Sequence, residues 1–582
     1  MKQFTLMLCL FSLIACSTAK KEEMANQPVQ PNVLLLIGDD ISFADLGMYG
    51  SEIQTPNMDK LSEAGIRFSN FHASPVCSVT RSMLMTGANN IEAGLATFDY
   101  SIYPPTEGHP GYEGYLTKNT VAISELFNDA GYNVYKSGKW HLGGEARGGE
   151  GPLGWGFTKE FGILSGGSNH WNNLAMTPDF SDPDFMNKRR VEDWTLNGEP
   201  FDRPSGVYSG EIYTNYMLDF IKEGEEDGKP WFSWMAFTTA HFPVQGRPEL
   251  VEKYYEQYLE LGFDGLKEQR YNSLIEHGLI SEQAKQAPEN PLTLNWDDLS
   301  EDDKKYQARV MANYAAMIED QDQRIGEIIS YLEESNQLDN TLIIYLTDNG
   351  AEGLEPTNPK TGNAVYQQWI EKNFSTELDS VGTPNSINTI GTSWANATTG
   401  DLRFWKWFTG EGGIRVPMMV LPPGALTEGY DKAGQVSNAV VSVKDLPMTI
   451  LDYAGLDHPG TEYKGRQVVE PSGISIRPFL EGETDIVRTE DQWYAFELFG
   501  NSYVMSGNYK ASKVREGMFG DGKWHLYNVV DDPSESKPLE EQMPEKFEAM
   551  KNTYFEYAKK HNIMDVDEMW SPFAAASDAN KR

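Results

Sequence analysis

The chain has 582 residues, and its 48 Lys and Arg set against 86 Asp and Glu leave a formal net charge of −38. Apolar residues at 40% and aromatics at 12% are enough for a globular core and too many for a disordered chain. The acid excess argues against a nucleic-acid binder, and the length holds one large domain with a smaller companion, or two to four ordinary domains.

Lys2 followed by the apolar run from Phe4 to Ala15 predicts a secretory signal, too short to span a bilayer. Its end, Leu13-Ile14-Ala15-Cys16, resembles the bacterial lipoprotein cleavage box. That resemblance implies a signal peptide over residues 1–16 and a lipid on Cys16. The protein is then exported and anchored in the cell envelope, in the periplasm or on the outer-membrane surface, and touches membrane only through that lipid. Residues 17–31 are small, charged and polar and read as a flexible tether. Cys9 and Cys16 fall in this leader, so Cys77 is the one thiol of the globular chain. A disulfide framework and a Cys-rich metal site are both excluded within the monomer.

Asn32 to Gly38 is an apolar run ending in Gly, the pattern of a buried parallel strand. Thr55 to Gly65 predicts a helix with Pro56 at its start and Gly65 as its stop. Thr120 to Gly131 repeats that style, and a second strand, Asn133 to Ser137, follows. Trp231 to Thr238 is the third strand. Glu249 to Asp303 reads as a charged helical insertion, and Met311 to Glu334 as a long amphipathic helix. Thr341 to Leu346 is the fourth strand, and the polar stretch Tyr366 to Thr399 predicts a long surface loop. Asp445 to Gly455 reads as a helix. After about Gln492 the pattern changes to strands at Tyr503 to Tyr509 and Lys523 to Val530, then a helix over Pro544 to Lys560. Strands alternating with helices predict an α/β fold, with a large mostly parallel central sheet flanked by helices and a smaller C-terminal α+β domain.

The polar residues fall at one recurring place. Asp39 and Asp40 follow the first strand, Lys139 and His141 the second, His241 the third, and Asp348 and Asn349 the fourth. Ligands of open α/β sheets bind beyond the carboxyl ends of the strands, so four strands deliver these groups to one rim. Asp39, Asp40, Asp348 and Asn349 supply hard oxygen donors, which suit Ca²⁺ or Mg²⁺ and not zinc. A divalent cation there offsets the carboxylate repulsion and polarises an anionic ester. Lys139 and Lys406 are placed to neutralise a sulfate or phosphate, and His141 and His241 are candidate proton carriers. Cys77 opens a predicted helix that Gly87 stops, so it sits where free N–H groups favour an anion, and Arg81, four residues on, shares its face. A buried inert thiol and a thiolate nucleophile are both compatible with that position.

Together these segments resemble the formylglycine-dependent (type I) sulfatases of the alkaline phosphatase superfamily. The resemblance runs through Pro31-Asn32-Val33 to Asp39-Asp40, Asp45-Leu46-Gly47, Thr55-Pro56-Asn57-Met58-Asp59, Cys77 to Gly87, Gly138 to Gly143, Leu346 to Gly350 and Glu411 to Pro417. The surroundings of Cys77 and the segment Gly166 to His170 look most like bacterial arylsulfatases. It implies an alkaline phosphatase-like catalytic domain over residues 32–465, a smaller C-terminal domain over 466–582, and hydrolysis of sulfate esters, including those of a sulfated glycan. It further implies that a maturation enzyme oxidises Cys77 to formylglycine. Ca²⁺ is then held by Asp39, Asp40, Asp348, Asn349 and the modified Cys77. Arg81 holds the hydrated aldehyde, and Lys139, Lys406 and His241 grip the sulfate. His241 and Lys406 assist the leaving alcohol, and His141 helps collapse the sulfated intermediate.

One position departs from the family pattern. The maturation signature carries Pro or Ala two residues after the Cys, and Val79 stands there. Two other functions share these motifs: a phosphodiesterase or phosphonate monoester hydrolase of the same superfamily, and a non-catalytic sulfoglycan-binding relative.

Overall fold

The computed structural model describes residues 30–97, 101–144, 148–284, 286–288, 290–355, 364–427, 429–570 and 572. The leader with Cys16, and nearly all of the tether, lie outside the described residues. No described helix is long and apolar enough to cross a membrane.

The first strand, Asn32–Gly38, is buried along its whole length. It lies inside a ten-stranded sheet, between Thr341–Thr347 on one side and Trp231–Ala236 on the other. Asn133–Lys139 pairs with the outer side of Trp231–Ala236, and all four strands are parallel. The predicted strands are therefore consecutive neighbours, and their carboxyl ends form one edge. Antiparallel pairings begin further out, with Met418–Leu421 on one flank and Trp194–Leu196 on the other.

Side chains alternate across a strand, so the central sheet feeds a core on each face. Leu34 and Leu36 face a core that includes Ile318, Ile325 and Ile328 of the long helix Glu301–Glu334. Val33, Leu35 and Ile37 face a second core with Val79 and Leu84 of the helix Cys77–Thr86 and Ile450 of Asp445–Ala454. Downstream, Tyr494–Leu498, Asn501–Ser506, Tyr509–Lys513 and Trp524–Asn528 form a separate antiparallel meander. Its face packs Ala495, Val504, Ala511 and Leu526 against Met550, Tyr554 and Tyr557 of the helix Pro544–Lys560.

Several expectations are corrected. The stretch Tyr366 to Thr399 is not one long loop. It holds the helices Ala364–Asn373 and Gly391–Thr398, anchored by the fully buried Trp369 and Trp394. Two tryptophans carry enough apolar surface to fold a segment whose other residues are polar. The predicted strand Tyr503 to Tyr509 straddles a hairpin: Gly507, with a φ of 56°, sits between two strands that pair with each other. The long helix begins at Glu301, ten residues before Met311, where the Ser300 side chain accepts from the backbone N–H of Asp303. The insertion is helical over Pro248–Glu276 and irregular after it. The helix expected from Thr120 starts at Ile123, and the third strand ends at Ala236 rather than Thr238.

Candidate active site

The carboxyl edge of the four central strands brings the expected residues together. Asp39, Asp40, Arg81, Lys139, Asp348, Asn349 and Lys406 are buried, as is Cys77 at the first turn of its helix. His241 keeps 5% of its surface exposed and His141 7%, against 2% or less for the others. The opening to solvent is therefore on the histidine side.

Lys139 donates to both oxygens of Asp39, at 2.9 and 2.7 Å. Lys406 lies 2.9 Å from each oxygen of Asp40. The Asn349 amide donates to Asp40 Oδ1 at 2.6 Å, and Cys77 Sγ lies 4.0 Å from the same atom. Arg81 grips Asp348 Oδ2 through Nε at 2.9 Å and its terminal nitrogen at 2.7 Å, and donates to the Lys139 carbonyl at 3.1 Å. His241 Nε2 is 3.6 Å from Asp40 Oδ2, while its Nδ1 faces the Phe242 carbonyl at 2.7 Å. Ligand atoms of Asp39, Asp40, Cys77 and His241 all lie within 4.8 Å of one another.

A hard cation fits this set. Asp348 Oδ1 and Asn349 Oδ1 are buried without a hydrogen-bond partner, a costly state for oxygens unless a ligand completes them. Asp348 stands outside the tight four-residue cluster, Asn349 adjoins it through Asp40, and His241, expected as a sulfate contact, stands inside it.

Burial raises Asp40 to about 6 against the pull of the Lys406 ammonium, and it also raises Asp348, helped by the like charge of Asp39. Burial lowers His241 well below the usual imidazole range, and the Lys406 and Lys139 ammonium groups push it further down. It also pushes the Cys77 thiol far up, in spite of Lys139 and Lys406. Burial thus disfavours the thiolate of unmodified Cys77. The same burial works against the charge of Lys406, but Asp40 above all, then Cys77 and Glu352, more than offset it.

The backbone is unusual at these points. Asp40 has a φ of 59° and His141 one of 58°, a left-handed conformation that non-glycine residues adopt mainly where surroundings enforce it. Gly166 leaves no room for a side chain, since a Cβ there would fall 2.8 Å from the His141 ring. Gly167 is equally confined, by Met176 at 2.7 Å and His241 Nδ1 at 3.1 Å. The Gly166-Gly167 pair is thus the floor against which both histidines sit. His170, further along the same segment, donates from Nε2 to the His241 carbonyl at 3.1 Å and accepts at Nδ1 from the Ser209 hydroxyl at 2.7 Å, so it fixes the backbone of His241.

Two supporting residues escaped the sequence reading. Tyr314 of the long helix donates to the Asp40 carbonyl at 2.9 Å and to Asp45 at 2.6 Å. Glu352 lies 3.3 Å from Lys406 and accepts from the Trp407 indole at 3.1 Å. Glu352 was open to discovery, because it follows Asp348 and Asn349 by only a few residues. Tyr314 gives no local signal, since a Tyr on an amphipathic helix is ordinarily core.

Comparison with known proteins agrees with this architecture. The sulfatase family model matches residues 31–456. An uncharacterised sulfatase of Schizosaccharomyces pombe is 36% identical over 526 residues, covering 89% of this chain and 91% of its own. An arylsulfatase of Klebsiella aerogenes is 33% identical over 455 residues, covering 78% and 92%. Among solved structures, Ps i-CgsB in complex with k-i-k-neocarrahexaose has the same fold, with a TM-score of 0.63 at 20% identity over 95% of this chain and 98% of its own. With the sheet, its rim and these matches in agreement, the chain belongs to the sulfatase family and is a sulfuric ester hydrolase.

Proposed function

We propose that sulfate-ester hydrolysis by this protein runs through a formylglycine made from Cys77, beside a Ca²⁺ held by Asp39, Asp40, Asp348 and Asn349. The observation that carries the reading is the convergence of Asp39, Asp40, Cys77 and His241 within 4.8 Å, beside two lysines and two buried oxygens without partners. Formylglycine supplies, as its hydrate, an oxygen nucleophile that a serine cannot match, because re-forming the carbonyl expels sulfate. The cation supplies charge compensation for the carboxylates and polarises the ester.

The chain's own residues divide the remaining work. Lys139 and Lys406 neutralise the sulfate oxygens. Arg81 orients residue 77 across the first turn of the helix while holding Asp348. His241, kept neutral by burial and by the lysines and with its Nδ1–H committed to the Phe242 carbonyl, presents Nε2 to take a proton at the solvent side and then to pass that proton to the ester oxygen. His141, next to the Gly166 floor, serves release of the sulfate from residue 77.

Cys77 and Val79 are both buried in the finished fold, so the maturation enzyme must act before the helix Cys77–Thr86 is packed. The substrate class we propose is a sulfated glycan, a reading supported by Ps i-CgsB, of like fold, having been solved in complex with k-i-k-neocarrahexaose. Export and lipid anchoring through Cys16 complete the proposal, and Cys16→Ser releases the protein from the membrane fraction if the anchor is real.

The deciding experiment is mass spectrometry of the Cys77 peptide, from protein made with a maturation enzyme, together with metal analysis. Formylglycine at residue 77, about one Ca²⁺ per chain and turnover of sulfate but not phosphate esters support the reading. An unmodified Cys77 in an active enzyme, or phosphate esters as the better substrates, overturns it.

A further inference from the structure

Lys406 is delivered to the rim by a loop, not by a strand. The loop closes on itself where the Gly412 N–H donates to the Arg403 carbonyl at 2.8 Å. Its backbone is folded tightly: a Cβ at Gly412 would meet the Phe404 carbonyl at 2.1 Å, and one at Gly413 the Phe408 carbonyl at 2.1 Å. Asp401, Phe404 and Trp407 all have positive φ, at 79°, 63° and 83°. Three non-glycine residues in that region persist only where neighbours enforce them. Inside the site, the loop is tied by the Trp407 N–H to the Pro75 carbonyl at 2.8 Å, two residues before Cys77.

The outer grip comes from the C-terminal sheet. Lys510, on the strand Tyr509–Lys513, is fully buried and spends all three of its donors on this neck. It reaches the Thr409 carbonyl at 2.6 Å, Glu411 Oε1 at 2.8 Å and Glu535 Oε1 at 3.1 Å. Glu535 returns to the loop by accepting from the Glu411 N–H at 3.1 Å, and His72 takes the other Glu411 oxygen at 2.9 Å. On the far side of the neck, Arg403 donates to the Tyr527 hydroxyl at 3.1 Å. Thr409 is three residues from Lys406, too short a span to absorb a movement of the neck.

We propose that the C-terminal sheet is a working part of the active site, with Lys510 the positioning residue that holds the Lys406 loop and so sets the Lys406 ammonium against Asp40. This rests on the reading that Lys406 contacts the sulfate.

The test compares full-length, matured wild type, Lys406→Ala, Lys510→Met and the double variant on an aryl sulfate, each assayed below its melting temperature. The conversion of Cys77 is checked by mass in every sample. Misplacing a group by an ångström costs on the order of 10- to 100-fold, so Lys510→Met is expected to lower kcat/KM by that much. In the Lys406→Ala background the same change is expected to cost nothing further, because the group it positions is gone. A general loosening of the structure would instead multiply the two losses. Wild-type kcat/KM in a folded Lys510→Met, or multiplying losses, overturns the proposal. Wild-type activity in Lys406→Ala overturns the reading of Lys406 itself and the latch with it.

Should Lys510→Met fail to fold, Tyr527→Phe probes the same neck without stranding a buried charge. It is expected to lower kcat/KM by a few-fold, again only when Lys406 is present, and full activity in that variant overturns the proposal.

Discussion

Around Asp39 and Asp40 the rim gathers three carboxylates, an amide, two lysines and an arginine. Around Glu411 the neck of the Lys406 loop gathers two carboxylates, a lysine and a histidine. Both clusters are buried, and both are built on charge-assisted hydrogen bonds. At the neck, each oxygen of Glu411 and Glu535 has a donor and each proton of Lys510 an acceptor. At the rim, Asp348 Oδ1 and Asn349 Oδ1 have no partner. A buried network kept for architecture closes on itself, because every open group costs desolvation. One kept for a ligand leaves positions for that ligand to fill.

The largest expected effect follows from residue 77. Cys77→Ala abolishes turnover of sulfate esters while the circular dichroism spectrum stays that of the wild type, because the helix around it is held by Val79, Leu84 and Arg81. Retained turnover would place the nucleophile elsewhere on the rim. Removal of the cation comes next. Dialysis against a chelator is expected to remove most activity and lower the melting temperature, and added Ca²⁺ to restore both. An unchanged melting temperature would mean that the open oxygens of Asp348 and Asn349 are not filled by metal. The neck should respond to mutation and not to chelation. Lys510→Met leaves Glu411 and Glu535 buried without their cation, which costs on the order of 3–5 kcal/mol. Chemical denaturation in the presence and absence of chelator measures it. A loss that disappears after chelation would make the two clusters one unit, contrary to the distinction drawn here.

Much of this was legible in the sequence. Asn32–Gly38 and Pro544–Lys560 lie where apolar periodicity and flanking Gly and Pro put them. The recurrence of charged residues just after four apolar runs brought out the rim, since a parallel sheet places the ends of its strands together. What was hidden came from long-range packing. Tyr366 to Thr399 reads as polar loop because Trp369 and Trp394 are diluted by Asn, Thr and Ser, and only burial against distant elements makes those helices hold. The hairpin at Gly507 did carry a local signal, Ser506-Gly507-Asn508, a polar turn triplet set between the apolar residues of its two strands. Tyr314 and Lys510 carry no spacing signal, since their partners lie far away in the chain or on irregular backbone.

Glu497 sharpens the comparison, because it is a buried carboxylate away from the rim with an oxygen left open. Among the described residues its Oε2 has no hydrogen-bond partner, and Arg515 acts on it only from a distance, unlike Lys510 on Glu411. One oxygen accepts from the Gly500 N–H. Burial raises it to about 7, with the Gly500 N–H and Arg515 pulling only weakly the other way. An open oxygen therefore has two explanations, a missing ligand or a proton, and here the proton is enough. The sign is fixed by linkage. The folded state keeps a proton that the unfolded chain gives up near its ordinary value of 4.5. This stabilisation is complete below about 4.5 and is lost as pH rises through about 7. Glu497→Gln keeps the acceptor for Gly500 and removes the charge. It is expected to match the wild type at pH 4.5 and to be the more stable protein at pH 8, by up to about 3 kcal/mol. Denaturant titrations at the two pH values decide it. Equal stability at both would mean that folding does not shift the pKa of Glu497, so that it is ionised at pH 8 and its open oxygen, like those at the rim, is waiting for a partner.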